Sequence, residues 1–131
     1  MHDIAVIGAG KIGSMIADLL VRTGDYRVTV ADRSGEALRQ LRTALPVEVQ
    51  ELDVSDPDAL DRLLAGKFAV LSAAPYHLTV RVAEAARRAR AHYLDLTEDV
   101  ASTPGAARGR TVIITRARIR PCSWASATLT V

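Results

Sequence analysis

The chain has 131 residues, 49% of them apolar and 24% charged, the size and composition of one soluble domain with a real core. It carries no apolar run of the ~20 residues a membrane span needs, and no basic leader with a cleavable apolar stretch, so neither an anchor nor a secretory signal is expected. Its single cysteine, Cys122, forms no internal disulfide and points to the cytoplasm. The net charge of +2 is uneven, because residues 101–131 hold five arginines and no acid. Nucleic-acid binding needs basic residues spread over a folded face, and one terminal segment does not supply that.

Ile4 to Ile7 is an apolar run of the kind found in a strand buried on both faces. From Lys11 the period changes. Ile12, Met15, Ile16, Leu19 and Leu20 recur at helical spacing, and Gly24 is placed to end the helix. Tyr26 to Ala31 predicts a second strand. Ser34 caps a second helix carrying Leu38, Leu41 and Leu45, which Pro46 stops. Val47 to Val54 alternates as a more exposed third strand. Asp56, Pro57 and Gly66 bracket a third helix as N-cap, first-turn proline and terminator. Phe68 to Ala74 reads as a buried strand. Thr79 to Arg90 reads as a helix with Val82, Ala85, Ala86 and Ala89 on one face, and His92 to Leu96 as a fifth strand. This alternation predicts an α/β fold: a doubly wound parallel sheet of Rossmann type, strand order 3-2-1-4-5. The ligand crevice then lies beyond the C-terminal strand ends, where the loops after Ile7, Ala31, Asp53, Ser72 and Leu96 meet.

Gly8-Ala9-Gly10-Lys11-Ile12-Gly13 matches G-x-G-x-x-G between a strand and a helix. Gly8 permits the tight turn, Gly10 lets backbone approach a pyrophosphate, and Gly13 lets the helix pack on the sheet. The free N–H groups at the helix start face the phosphates. Asp32 follows 19 residues beyond Gly13, at the end of the second strand. Its carboxylate can accept both ribose hydroxyls and repels a 2′-phosphate at close quarters, so NAD is expected over NADP. Arg33 opposes this, since a guanidinium there pairs with a 2′-phosphate. Asp53 reaches the adenine amino group with Val54 against the ring, or is an exposed acid ahead of a helix. Ser72, Ala73, Ala74 and Pro75 let backbone approach the nicotinamide half, or form a close-packed strand end. No metal-ligand spacing, nucleophile elbow or P-loop occurs, and no Tyr-x-x-x-Lys pair of a short-chain reductase.

"VIGAGKIG", "ADRS", "LDVSDPDAL" and "AAPYHLTVRVAEAARRARAHYLDLTED" occur together. The set resembles the N-terminal NAD(P)-binding domain of the saccharopine dehydrogenase family, and within it the saccharopine dehydrogenase-like and lysine 6-dehydrogenase-like bacterial members. The resemblance covers residues 3 to about 100. It implies an oxidoreductase acting at a carbon–nitrogen bond of an amino acid or amine. It also implies that Tyr76, His77, Thr97, Glu98 and Asp99 face the substrate. His77 is a candidate acid/base or a solvated loop residue. Glu98 and Asp99 suit a substrate ammonium or a solvated turn. Family members continue into a second α/β domain that closes the substrate cleft. This chain is therefore expected to bind cofactor, and to act on substrate only if that domain is supplied. The competing function is a stand-alone nucleotide-sensing module like those on potassium-transport systems.

Residues 104–131 break the pattern. They hold the chain's one tryptophan and one cysteine, five arginines and no acid, and only Thr111 to Thr115 looks like an element. The expected division is a cofactor domain at 1–103 and a basic tail at 104–131. A frameshift near residues 102–108 or a partly disordered native tail accounts for the change.

Overall fold

The structure, a computed structural model, describes residues 1–95, with the backbone alone at Tyr76. Strands β1 (His2–Ile7), β2 (Tyr26–Asp32), β3 (Glu48–Glu51), β4 (Ala69–Ser72) and β5 (His92–Asp95) form one sheet in the order β3-β2-β1-β4-β5. Every pairing is parallel. Each crossover therefore carries a helix: α1 (Lys11–Thr23), α2 (Gly35–Ala44), α3 (Pro57–Leu64) and α4 (Thr79–Ala89), the last preceded by a single 3-10 turn at Tyr76–Leu78. This is the Rossmann-type order expected from the sequence.

Alternate strand residues feed two layers. Ala5, Ile7, Ala31, Val70 and Tyr93 pack against Leu60, Leu63 and Leu64 of α3 and Val82, Ala85 and Ala86 of α4. Val6, Val28 and Val30 pack against Ala17 of α1 and Leu38 and Leu41 of α2. Burial on both faces is why the central strand reads as an unbroken apolar run. The register places Ile7 between Ala31 and Ser72, so β1, β2 and β4 end level and their loops share one rim.

The caps work as the sequence implies. Gly24 ends α1 at φ 74, the left-handed region that glycine enters without strain. The Asp56 carboxylate accepts the N–H groups of Asp58 and Ala59 at 3.0 and 3.2 Å, ahead of Pro57. The Ser34 hydroxyl accepts the N–H of Ala37 at 3.3 Å.

Several strand and helix ends differ from expectation. Helix α2 stops at Ala44, and Leu45 is extended, because the ring of Pro46 forces the preceding residue out of the helical region. Strand β3 stops at Glu51, and Asp53 lies in the turn beyond it. Strand β4 starts at Ala69, not Phe68. Phe68 is 44% exposed, stacked on His2 at 4.3 Å and edge-on to His92 at 4.9 Å. Ala73 and Ala74 fall after the strand. Helix α4 ends at Ala89, with Arg90 at φ 57 as its cap. Leu96, Thr97, Glu98, the boundary at 103 and the tail lie outside the described residues.

Candidate cofactor site

The glycine loop separates into two kinds of glycine. Gly8 has φ 107, its N–H donates to the Ala31 carbonyl at 2.8 Å, and a Cβ there would stand 2.9 Å from the Ala73 carbonyl oxygen. A Cβ on Gly13 would overlap the Gly8 carbonyl. The fold itself requires both. Gly10 is different: its φ is −73, and a Cβ there would meet nothing within 4 Å. Neither backbone nor neighbours require glycine at this position.

Gly10 is also the N-cap of α1, with no side-chain cap and no acid in the first turn. The first N–H groups of the helix and the positive end of its dipole therefore have no side-chain cap, and the Cβ position of the N-cap residue Gly10 is open space. That open, positively polarised space fits a pyrophosphate. Lys11 and Ile12, in the first turn, are exposed. Ser14 ties the loop from behind, its hydroxyl donating to the Ala9 carbonyl at 3.2 Å.

Asp32 ends β2 and is half-buried. Its Oδ2 accepts the Ala9 N–H at 2.7 Å and its Oδ1 the Ser34 N–H at 2.8 Å. Arg33, the next residue, is exposed. Glu51, which sequence reasoning missed, pairs in register with Asp32, and its Oε2 lies 2.8 Å from where a Gly35 Cβ would be, against the start of α2. Only strand register brings it there, and no local spacing signals it.

Asp53 and Val54 lie just beyond the end of β3. The Asp53 Oδ1 accepts the N–H of Ser55 at 2.8 Å. Val54 lines a shallow pocket with Pro57, Leu60, Arg81, Glu84 and Arg88, between α3 and α4. Across the rim, Ala73 meets the glycine loop. Its N–H donates to the Ile7 carbonyl at 2.8 Å, and its own carbonyl faces Gly8. Ser72 is 1% exposed, Ala74 is half-buried and Pro75 is exposed. Tyr76 and His77 open the 3-10 turn, with His77 exposed.

Beneath α4 lies a polar group of which only Ser72 was anticipated. Ser72 Oγ and Thr79 Oγ1 are shielded from solvent without a well-formed hydrogen-bond partner among the described residues. The Tyr93 hydroxyl beside them donates to the Thr79 carbonyl at 3.5 Å. Burial pushes the pKa of Tyr93 up, and the charge of Asp95 adds to the shift. Among the described residues, no three His, Cys, Asp or Glu side chains gather to hold a metal, and no helix is long and apolar enough to cross a membrane.

A parallel sheet in this order, with this loop at its switch point, defines a dinucleotide-binding domain. The chain belongs to a particular family of such domains: residues 4–120 match the family described as the saccharopine dehydrogenase NADP binding domain. The match crosses the expected boundary at 103. The chain is 31% identical over 88 residues to the NADP(+)-linked, L-glutamate-forming saccharopine dehydrogenase of Saccharomyces cerevisiae, covering 67% of this chain and 20% of that protein. It thus spans about a fifth of the length of the curated relative it matches. The apo structure of the L-Glu-forming saccharopine dehydrogenase from Saccharomyces cerevisiae superposes with a TM-score of 0.69 at 28% identity, over 72% of this chain and 21% of that one. The NAD(P)-binding domain of an exopolyphosphatase-related protein from Archaeoglobus fulgidus shares the fold, with a TM-score of 0.65 at 20% identity over 76% of each chain.

These matches correct the expectation of NAD: the family domain is NADP-binding, and the yeast relative is NADP(+)-linked. The structure supplies the physical reason. The expectation weighed repulsion between the Asp32 carboxylate and a 2′-phosphate above pairing with Arg33. The Asp32 oxygens accept the Ala9 and Ser34 N–H groups, while Arg33 stands exposed at the next position, where a guanidinium pairs with a 2′-phosphate.

Proposed function

We propose that this chain is the NADP(H)-binding part of an oxidoreductase acting on a carbon–nitrogen bond of an amino acid or amine. The observation that carries the reading is the uncapped start of α1 at Gly10, in a chain 31% identical to a saccharopine dehydrogenase. Gly8, Gly10 and Gly13, with Ala9, Lys11 and Ile12 between them, hold the pyrophosphate. Arg33 and Ser34 meet the 2′-phosphate. Asp53 and Val54 frame the adenine, and Ser72 to Pro75 lie beside the nicotinamide ribose. Tyr76, His77, Thr97 and Glu98 face the substrate. NADP(H), when bound, supplies or takes up the hydride.

A single domain offers an open crevice, and exclusion of water needs a second surface closing over it. The chain alone therefore binds cofactor without turning over substrate. The family match and the saccharopine dehydrogenase relative support this reading over a nucleotide-sensing module. Calorimetric titration with NADPH, followed by a reduced-nicotinamide absorbance assay with NADP(+) and either lysine or saccharopine, tests both halves. Binding without turnover is the expected result. No NADPH binding overturns the first half, and appreciable turnover by the chain alone overturns the second.

A further inference from the structure

Asp32 stands where an acid at the end of the second strand is ordinarily read as a ribose ligand. Its contacts here point to another role. At 2.7 Å to the Ala9 nitrogen and 2.8 Å to the Ser34 nitrogen, its hydrogen bonds have the short lengths of charge-assisted ones. The two donors belong to different segments. Ala9 sits between Gly8 and Gly10 in the loop that leads into α1, and Ser34 is the N-cap of α2. The carboxylate therefore joins two helix starts that belong to separate βα units.

The Ala9 methyl group packs in the layer with Val6 and Ala17, and backbone bonds hold the rest of the loop. Gly8 is tied to Ala31, and the Ala9 carbonyl to the Ser14 hydroxyl at a longer 3.2 Å. Gly10 has no side-chain cap and no neighbour at its Cβ position. Without Asp32 the N–H of the buried Ala9 would lose its acceptor, and the link between the loop and the turn at Arg33 and Ser34 would be lost.

We propose that Asp32 is a positioning residue: its carboxylate clamps the glycine loop to the β2–α2 turn in the nucleotide-free protein, and so fixes the backbone that meets the cofactor. The proposal rests on the NADP(H)-binding reading above. It gives the acid at this position, in a domain of an NADP-binding family, a task within the protein's own fold. The choice between a 2′-hydroxyl and a 2′-phosphate falls to the neighbouring Arg33.

The test compares the full chain with Asp32→Ala and Asp32→Asn. The asparagine variant keeps the size but can accept only one of the two bonds, and its amide would meet the second N–H donor to donor. Amide hydrogen exchange is followed at Ala9 and Ser34 without nucleotide, and dissociation constants are measured for NADPH and NADH. The clamp predicts that Asp32→Ala speeds exchange at both amides by about tenfold or more, and Asp32→Asn at one of them. It also predicts that NADPH and NADH weaken by a similar factor, about tenfold, with their ratio nearly unchanged. Unchanged exchange overturns the proposal. So does a selective loss of NADH with NADPH retained or tightened, which marks a ribose ligand. Should Asp32→Ala not fold, the wild-type amides and Asp32→Asn still decide, because fast exchange at both wild-type amides is incompatible with a clamp. A wild-type chain that binds neither nucleotide sinks the cofactor reading separately, and leaves the exchange result to judge the clamp.

Discussion

On the β1–β2 side of the crevice the loop groups hold one another. The Gly8 N–H reaches the Ala31 carbonyl, the Ala9 and Ser34 N–H groups reach Asp32, and the Ser14 hydroxyl reaches the Ala9 carbonyl. What stays open is the space at Gly10 and the start of α1. On the β4–β5 side, Ser72 Oγ and Thr79 Oγ1 are shielded without a well-formed partner among the described residues, the Tyr93 hydroxyl reaches the Thr79 carbonyl at a long 3.5 Å, and α4 starts without a side-chain cap. Buried polar atoms are nearly always partnered in finished structures, so such exceptions cluster where function has shaped a site. The contrast teaches that the side proposed to hold the phosphates is organised by its own hydrogen bonds before a ligand arrives, while the side proposed to meet the reacting half is held less tightly among the described residues.

The largest effect expected on the organised side is at Gly13. Gly13→Ala drives a methyl group into the Gly8 carbonyl and should cost about 2–3 kcal/mol in urea unfolding, with loss of NADPH binding. Gly10→Ala should leave stability within about 0.5 kcal/mol, because nothing lies near its Cβ, yet weaken NADPH at least about tenfold. Equal destabilisation by both would erase the distinction between fold-required and ligand-required glycines.

Arg33→Ala comes next. It should weaken NADPH by about tenfold, the worth of one charge-assisted hydrogen bond, and leave NADH within about twofold. A common loss for both nucleotides would move the 2′-phosphate contact elsewhere.

On the β4–β5 side the expected effects are smaller. Tyr93→Phe should change little at neutral pH. Because folding holds the Tyr93 pKa above its ordinary value, the unfolded chain ionises first. The stability it contributes is complete below about pH 10 and is lost as pH rises beyond that. Urea midpoints of wild type and variant should run parallel up to about pH 9.5, then diverge with wild type falling faster. Parallel curves throughout would contradict the buried, neutral hydroxyl.

Much of the fold was legible because caps and periods agree locally. Asp56 and Pro57 start α3, Gly24 ends α1, and the both-face burial of β1 shows as a continuous apolar run. Strand ends were less legible. Leu52, Ala73 and Ala74 continue an apolar pattern after the chain has left the sheet, and Leu52 is still only 5% exposed there. Within the site, the glycine motif is plain in the sequence, but one motif hides two physical demands, and only the space around Gly10 separates it from Gly8 and Gly13. The bonds Asp32 accepts from Ala9 and Ser34 were not legible, because backbone N–H donors leave no trace in residue identity. Glu51 at Gly35, and Tyr93 with Thr79 beneath α4, meet through strand register and helix docking, neither of which a local pattern encodes.

The central claim is that the organised β1–β2 side recognises NADP(H) despite carrying an acid at its tip. Calorimetric dissociation constants for NADPH and NADH on the same chain, at one fixed ionic strength, test it most directly. The account predicts that NADPH binds tighter by about tenfold or more, from the added phosphate and Arg33. Equal affinities, or tighter NADH, would contradict it.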